Sequence, residues 1–281
     1  MPIIDNTLLK VKLEEVVIQE YEKLNRQLSL GIILANKELA SKKYIELKEQ
    51  FSRKIGIKVQ TLNILELSEI YDQTTINRLV NQVDGVILQL PVDPNYNSII
   101  DLITREKDVD LLNQKNTTNS FILPPTISAI DLIIKYHYNN YEIPINFLNF
   151  IDNSIDLSSK TVAVVGQGLL VGKPLNRYLE NRNATIISIN KFTQNPKELT
   201  KLADIIICAA GSTKLINNDW IGEETLVIDA STSEENNQLI GDIDYGKIDT
   251  NNIYLCKSPG GIGPLTVMFL FWNLIKLAKL R

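Results

Sequence analysis

Five residues in the first half of the chain have types and spacings suited to proton chemistry. Tyr44 and Lys48 stand four apart in ASKKYIELKEQ, so on a helix they share a face. Neighbouring groups can bring a lysine pKa toward neutrality, which would make the pair an acid/base unit. An ordinary helical surface pair has the same spacing. Gln89 closes the apolar run DGVILQLPV. A buried amide needs partners, and a ligand can supply them at a strand's end. Asp108 and Asp110 lie in EKDVDLLNQKN. A carboxylate there could accept two parallel N–H bonds from a 2-aminopyrimidinone-type ring, or cap its own turn. Near the far end, SPGGIGPLT crowds Pro259, Gly260, Gly261, Gly263 and Pro264 before an apolar helix. Such a stretch lets backbone approach a ligand closely, or serves as a rigid connector.

A second constellation is VVGQGLLVGKP, residues 164–174. Gly166, Gly168 and Gly172 carry one residue more than the dinucleotide pattern G-x-G-x-x-G. Their setting, at the end of one strand and the start of a helix, is that of a phosphate-cradling turn, or of a tight strand-to-helix turn without a ligand. An NAD site places an acid on the ribose about 20 residues further on. Here the next strand ends in Asn190 and Lys191. A lysine attracts a 2′-phosphate where a carboxylate repels it, so the residues lean to NADP, with NAD as the alternative; a solvated surface lysine reads the same way in sequence.

The elements that must position these residues alternate. Residues 6–28 have helical spacing, 29–35 form an apolar strand, 41–54 a helix, 58–64 a strand, 69–82 a helix and 84–92 another buried strand. A short helix over 97–106 and a turn-rich stretch follow, then a helix after Pro124–Pro125. Residues 161–260 read β-α-β-α-β-β, with the glycine loop at the first βα turn, and 265–280 form the last helix. This pattern predicts an α/β protein of two lobes with mostly parallel sheets. Residues 1–123, completed by the helix at 265–281, make one lobe; residues 124–264 make a Rossmann-type dinucleotide-binding lobe.

Length and composition bound the rest. The 281 residues suffice for two ordinary domains, and 44% hydrophobic with 22% charged content is that of a globular protein. A net charge of −4, without a basic run, argues against a nucleic-acid partner. The single histidine, His137, rules out a His-based metal cluster, so no metal is expected; Cys208 and Cys256 read as buried free thiols. The opening MPIIDNTLLKVKLEE is charged and amphipathic, unlike a secretory leader, and the apolar run 265–275 is too short for a bilayer. No membrane partner and a cytoplasmic location are expected.

Taken in order, these stretches resemble the bifunctional methylenetetrahydrofolate dehydrogenase/methenyltetrahydrofolate cyclohydrolase family nearly end to end. ASKKYIELK matches S-x-x-Y-[VI]-x-x-K, DGVILQLPV matches D-G-[IV]-[LI]-V-Q-[LM]-P-[LV], and KDVD matches K-D-V-D-G. LPPT stands for P-C-T-P, VVGQGLLVGKP for V-V-G-R-S-x-x-V-G-x-P, and ADIIICAAG, GDIDY and SPGGIGPLT follow. The family's longer glycine loop accounts for the extra residue. The resemblance implies a folate-binding lobe and a Rossmann lobe, tetrahydrofolate derivatives as substrates and a homodimer. It implies NADP-linked oxidation of 5,10-methylenetetrahydrofolate, then hydrolysis of the methenyl product to 10-formyltetrahydrofolate. Carried over by position, Lys48 is the general acid/base, Gln89 bonds and tunes it, Tyr44 packs on the folate, and Asp110 anchors the pterin. Pro259, Gly260 and Gly261 approach the substrate; Gly166, Gln167, Gly168, Lys191 and Thr232 hold the cofactor. The family's Arg-Ser is Gln167-Gly168 here, its His-Ser is Asn190-Lys191, the Gly of K-D-V-D-G is Leu111, and D-V-G-I is Asp229-Ala230-Ser231-Thr232. Two other readings use the same residues: a single-activity or NAD-using member, and a non-catalytic folate- or nucleotide-binding paralogue.

Overall fold

The computed structural model describes residues 3–36, 39–66, 73–92, 94–113, 121–235, 238–249 and 251–281. Parts of the expected helix (69–72) and turn-rich stretch (114–120) lie outside these. Contacts divide the chain into two units: Glu14–Pro125 with Val267–Arg281, and Met1–Leu13 with Thr126–Thr266.

In the first of these, β1 (Ser29–Leu34), β2 (Lys58–Asn63) and β3 (Gly85–Gln89) form a parallel sheet in the order β2-β1-β3. The continuous apolar runs of β1 and β3 follow from burial on both faces. Polar β2 sits at an edge. α1 (Thr7–Glu22) precedes β1, α2 (Leu39–Ile55) connects β1 to β2, and α3 (Gln73–Gln82) leads into β3. α3 buries Ile76, Leu79 and Val80 against Ile33, Val86 and Leu88. The short helix expected at 97–106 is a 3-10 segment, Pro94–Leu102. Its Asn-rich start, PNYNS, supplies side chains that compete for backbone hydrogen bonds and disfavour a full α-turn.

The second unit holds a five-stranded parallel sheet in the order β10-β7-β6-β4-β5: β4 (Thr161–Val165), β5 (Thr185–Ile189), β6 (Ile205–Cys208), β7 (Thr225–Asp229) and β10 (Ile253–Cys256). α4 (Pro125–Tyr138) and α5 (Phe147–Asp152) lead in, and α6 (Gly172–Glu180) and α7 (Pro196–Thr200) connect the first three strands. An antiparallel hairpin of β8 (Ser233–Glu235) and β9 (Gln238–Ile240) was not expected. The sheet has the doubly wound order in which the chain leaves β4 for β5 on one side and returns to β6 on the other. Cys208 and Cys256 are buried free thiols, and His137 packs edge-on to Tyr138, Tyr141 and Tyr254.

The first thirteen residues, expected with the folate lobe, cluster with this second unit. Ile3 bridges to Leu255 beside β10, and the Ile4 N–H donates to the Leu255 carbonyl at 2.9 Å. α8 (Ile262–Ala278) starts three residues before its apolar run, since Pro264 is tolerated in a first turn. Among the described residues no helix is long and apolar enough to cross a membrane.

Candidate active site and dinucleotide loop

Lys48 lies on α2, one helical turn after Tyr44, which is half-buried on the same face. Lys48 is only 6% exposed, and its Nζ donates to Gln89 Oε1 at 2.7 Å. Gln89 is the last residue of β3, so a strand's carboxyl end delivers the amide to the lysine. The Gln89 Nε2 donates to the Leu90 carbonyl at 3.0 Å, which fixes the amide orientation. Burial pulls the Lys48 pKa below the ordinary lysine value, while the Asp110 carboxylate acts the other way. Burial likewise pushes Asp110 up to about 6, with Lys48 opposing and Asp108 adding to the shift. Desolvation thus brings a base and an acid toward each other's range, an arrangement suited to moving a proton at neutral pH.

The two aspartates of KDVD separate into different tasks. Asp108 is 1% exposed, and its carboxylate accepts the Leu112 N–H at 3.1 Å and the Asn113 N–H at 3.0 Å. It caps its own turn. Asp110 is the one left to Lys48. The turn is also tied to β3, because Val86 donates its N–H to the Lys107 carbonyl at 2.6 Å. Leu111, which replaces the family's glycine, has φ +51°, so the left-handed backbone is kept by a buried leucine.

Sequence reasoning missed Asn273. This 1% exposed amide on α8 donates to the Val109 carbonyl at 2.9 Å and the Leu123 carbonyl at 2.7 Å, clamping the residue before Asp110. The signal was a lone polar residue inside FLFWNLI. Gly85 allows the close packing: a Cβ there would lie 2.6 Å from both Leu274 and Val109.

In the other unit, the glycine loop leaves β4 where the strand order reverses, the place where doubly wound sheets bind ligands. Gly166 has φ +102°, and a Cβ on it would fall 2.2 Å from the Ala209 carbonyl oxygen after β6. A Cβ on Gly172 would meet the Gly166 oxygen at 2.0 Å. These two glycines are therefore required by the turn itself. Gly168 is exposed with open space around it, so it places no steric demand on the fold and leaves a ligand free access to its backbone.

Gln167 does not present its side chain to the crevice. Its Nε2 donates to the Val164 carbonyl at 3.1 Å, and its Oε1 accepts from Asn176 Nδ2 at 2.7 Å. Asn176 also donates to Ser188 Oγ on β5 at 3.1 Å, so Gln167 braces the loop. Lys191 and Phe192 stand exposed after β5, with the ammonium 5.0 Å from the ring centroid. Asn190 Oδ1 accepts the Phe192 N–H at 2.8 Å and holds this turn. Thr232 Oγ1 lies 3.3 Å from Ser258 Oγ, which joins the turn after β7 to the loop of Pro259, Gly260 and Gly261. In that loop Gly260 has φ +101°, and a Cβ on Gly261 would meet the Lys257 oxygen at 2.2 Å. Asn6 Nδ2 donates to the Gly261 carbonyl at 2.7 Å.

One unit thus pairs a desolvated lysine with an amide and a carboxyl, and the other has the doubly wound sheet and glycine turn of a nicotinamide-dinucleotide-binding protein. Residues 4–110 match the family model for the tetrahydrofolate dehydrogenase/cyclohydrolase catalytic domain, and residues 144–281 that for its NAD(P)-binding domain. The chain is 32% identical to the bifunctional protein FolD of Hydrogenobaculum sp., covering 100% of both chains. The chain belongs to the tetrahydrofolate dehydrogenase/cyclohydrolase family. Among solved structures, the Campylobacter jejuni bifunctional FolD enzyme is similar at a TM-score of 0.78 and 25% identity, over 99% of each chain. The Trypanosoma brucei enzyme, crystallised with NADP and an inhibitor, shares the fold at a TM-score of 0.80 and 24% identity, over 99% of this chain and 97% of that one.

Proposed function

We propose that this protein is a bifunctional enzyme. It oxidises 5,10-methylenetetrahydrofolate to the methenyl form with NADP and hydrolyses that product to 10-formyltetrahydrofolate. The observation that carries the reading is the buried Lys48, bonded to Gln89 at 2.7 Å with Asp110 in its field. The methenyl product is a cation. A permanently charged lysine would repel it, whereas a lysine whose charged form is disfavoured by burial can give up its proton and take one from the attacking water. Gln89 holds the Lys48 nitrogen in place and accepts its hydrogen in either charge state. Asp110 offers its carboxyl to the N–H groups of the pterin ring, and Tyr44 supplies an aromatic wall on the same face of α2.

The unit Glu14–Pro125 with Val267–Arg281 is the folate-binding, catalytic part, and Met1–Leu13 with Thr126–Thr266 is the dinucleotide-binding part. NADP, when bound, supplies the hydride acceptor. The residues present fit it: Gly166 and Gly172 leave the backbone bare at the switch point, Gly168 is open to the phosphates, and Lys191 offers a cation to the 2′-phosphate. Gln167 serves by bracing that loop. The family resemblance supports a homodimer and a cytoplasmic location, and sedimentation of the purified protein tests the first.

Purified protein given methylenetetrahydrofolate with NADP or NAD should reduce NADP in preference to NAD, and Lys191→Glu should narrow that preference about 10-fold or more. Reduction of neither nicotinamide would rule out the dehydrogenase step. Methenyltetrahydrofolate hydrolysis, followed separately, tests the second activity, and a Lys48→Met variant should lack it.

A further inference from the structure

Two carboxylates that play no part in this chemistry are buried at the carboxyl edge of the five-stranded sheet. Asp229 ends β7 and Asp242 follows β9, and both are 0% exposed. Asp229 Oδ1 accepts the N–H groups of Ser231 and Asp242 at 3.2 Å each. Its Oδ2 accepts the Ile243 N–H at 3.2 Å and lies 3.1 Å from the Tyr245 hydroxyl. Asp242 accepts the N–H groups of Ala210 at 2.6 Å and Ser212 at 2.7 Å. Both carboxyls are pushed upward by burial, Asp229 to about 6.

Each carboxylate gathers donors from separate loops, so together they fix those loops against one another. Asp242 holds the loop after β6, which faces Gly166 across the switch point. Asp229 holds the turn after β7. Tyr245 extends the connection to the loop after β10: its hydroxyl accepts the Ser258 N–H at 2.8 Å and lies 3.1 Å from the Ser258 carbonyl. Ser258 Oγ in turn donates to the Ser231 carbonyl at 2.5 Å. A Cβ on Gly241 would fall 2.0 Å from Asp229 Oδ2, so only glycine leaves room for the carboxylate. GDIDY and DAST, on either side of the β8–β9 hairpin, are two halves of one device. The three loops it joins lie on the edge where a doubly wound sheet receives its ligand.

We propose that Asp229, Asp242 and Tyr245 are positioning residues for the dinucleotide: they set the spacing of the loops after β6 and β7 that receive it and tie them to the loop after β10, and the hydrolytic step does not depend on them. This rests on the function proposed above. Tyr245→Phe keeps the ring and removes only the hydroxyl, leaving the Ser258 N–H without its acceptor. It should weaken NADP binding, measured by calorimetric titration, about 5- to 30-fold. The KM for NADP should rise in step, while kcat at saturating NADP and the rate of methenyltetrahydrofolate hydrolysis stay within about twofold. Asp242→Asn should show the same split more strongly. Unchanged NADP affinity in Tyr245→Phe overturns the proposal, and so does a parallel loss of hydrolysis and binding, which would mark the network as general scaffolding. A wild type that binds NADP but does not reduce it overturns the functional reading alone; one that binds no NADP overturns both.

Discussion

Replacing Gln89 by glutamate puts a carboxylate where an amide oxygen now accepts from Lys48 at 2.7 Å. Opposite unit charges at that separation attract by about 6 kcal/mol at an effective dielectric of about 20. Taking the new carboxylate out of water, at a position 9% exposed, offsets several kcal/mol of that. The balance raises the Lys48 pKa by about 1–3 units. The wild-type lysine is held low by burial, so the substitution reverses the effect that makes it a base. Each unit by which the pKa then exceeds the assay pH reduces the neutral fraction about tenfold, so hydrolysis at neutral pH should fall by up to about 1,000-fold. The sign is specific. The acid-side, ascending limb of the pH–rate profile moves to higher pH, and the deficit shrinks as pH rises. The assay is loss of methenyltetrahydrofolate absorbance across pH, with the uncatalysed rate subtracted. Gln89→Ala, which removes the hydrogen bond and adds no charge, should move the limb by less than about one unit. A Gln89→Glu profile that keeps the wild-type limb, or that is depressed equally at every pH, would refute the charge argument.

Three further outcomes are expected. Asp110 has a folded pKa of about 6 against an ordinary 3.8, so the folded state holds that proton more tightly. Its contribution to stability is full below about pH 4 and is lost as pH rises through 6. Asp110→Asn should therefore gain on the wild type by up to about 3 kcal/mol between pH 4 and 7 in urea titrations; a constant difference would contradict the shift. Gly166→Ala forces a side chain at φ +102° to within 2.2 Å of the Ala209 oxygen, and NADP titration should show affinity down by about tenfold or more. Full retention of affinity would count against the switch point as the binding place. Asp131 and Lys135 form an ion pair at 2.6 Å with both side chains 6% exposed, and Tyr178 donates to Asp131. Asp131→Asn leaves the lysine charge uncompensated and should cost about 3–5 kcal/mol in denaturant; a loss under about 1 kcal/mol would mean that water reaches the pair.

The strands were legible because parallel strands covered on both faces become continuous apolar runs, and SLGIIL, TVAVV and TLVID are such runs. The β8–β9 hairpin was not, because SEE and QLI carry neither a run nor an alternation long enough to read. Type and spacing put Tyr44 and Lys48 on one helix face and Gln89 at a strand end, while their roles came from the family resemblance. The spacing left Asp108 and Asp110 equivalent. It also treated Gly166, Gly168 and Gly172 alike, and neither it nor the resemblance showed that the Gln167 side chain bonds Val164 and Asn176.

Local periodicity and residue chemistry were enough to determine the α/β class, the order of the elements and the residues able to carry a proton, because those properties live within a few consecutive positions. Which of them are buried and paired was decided by contacts between distant segments. The Leu112 and Asn113 N–H groups occupy Asp108 and leave Asp110 to Lys48, whose pKa falls only because the folded chain removes water from it. Asn273 reaches back to Val109 from α8, and Asp229 meets Asp242 and Tyr245 beyond a hairpin. Desolvation and long-range hydrogen bonds exist only once the chain has closed on itself, so no window of sequence contains them.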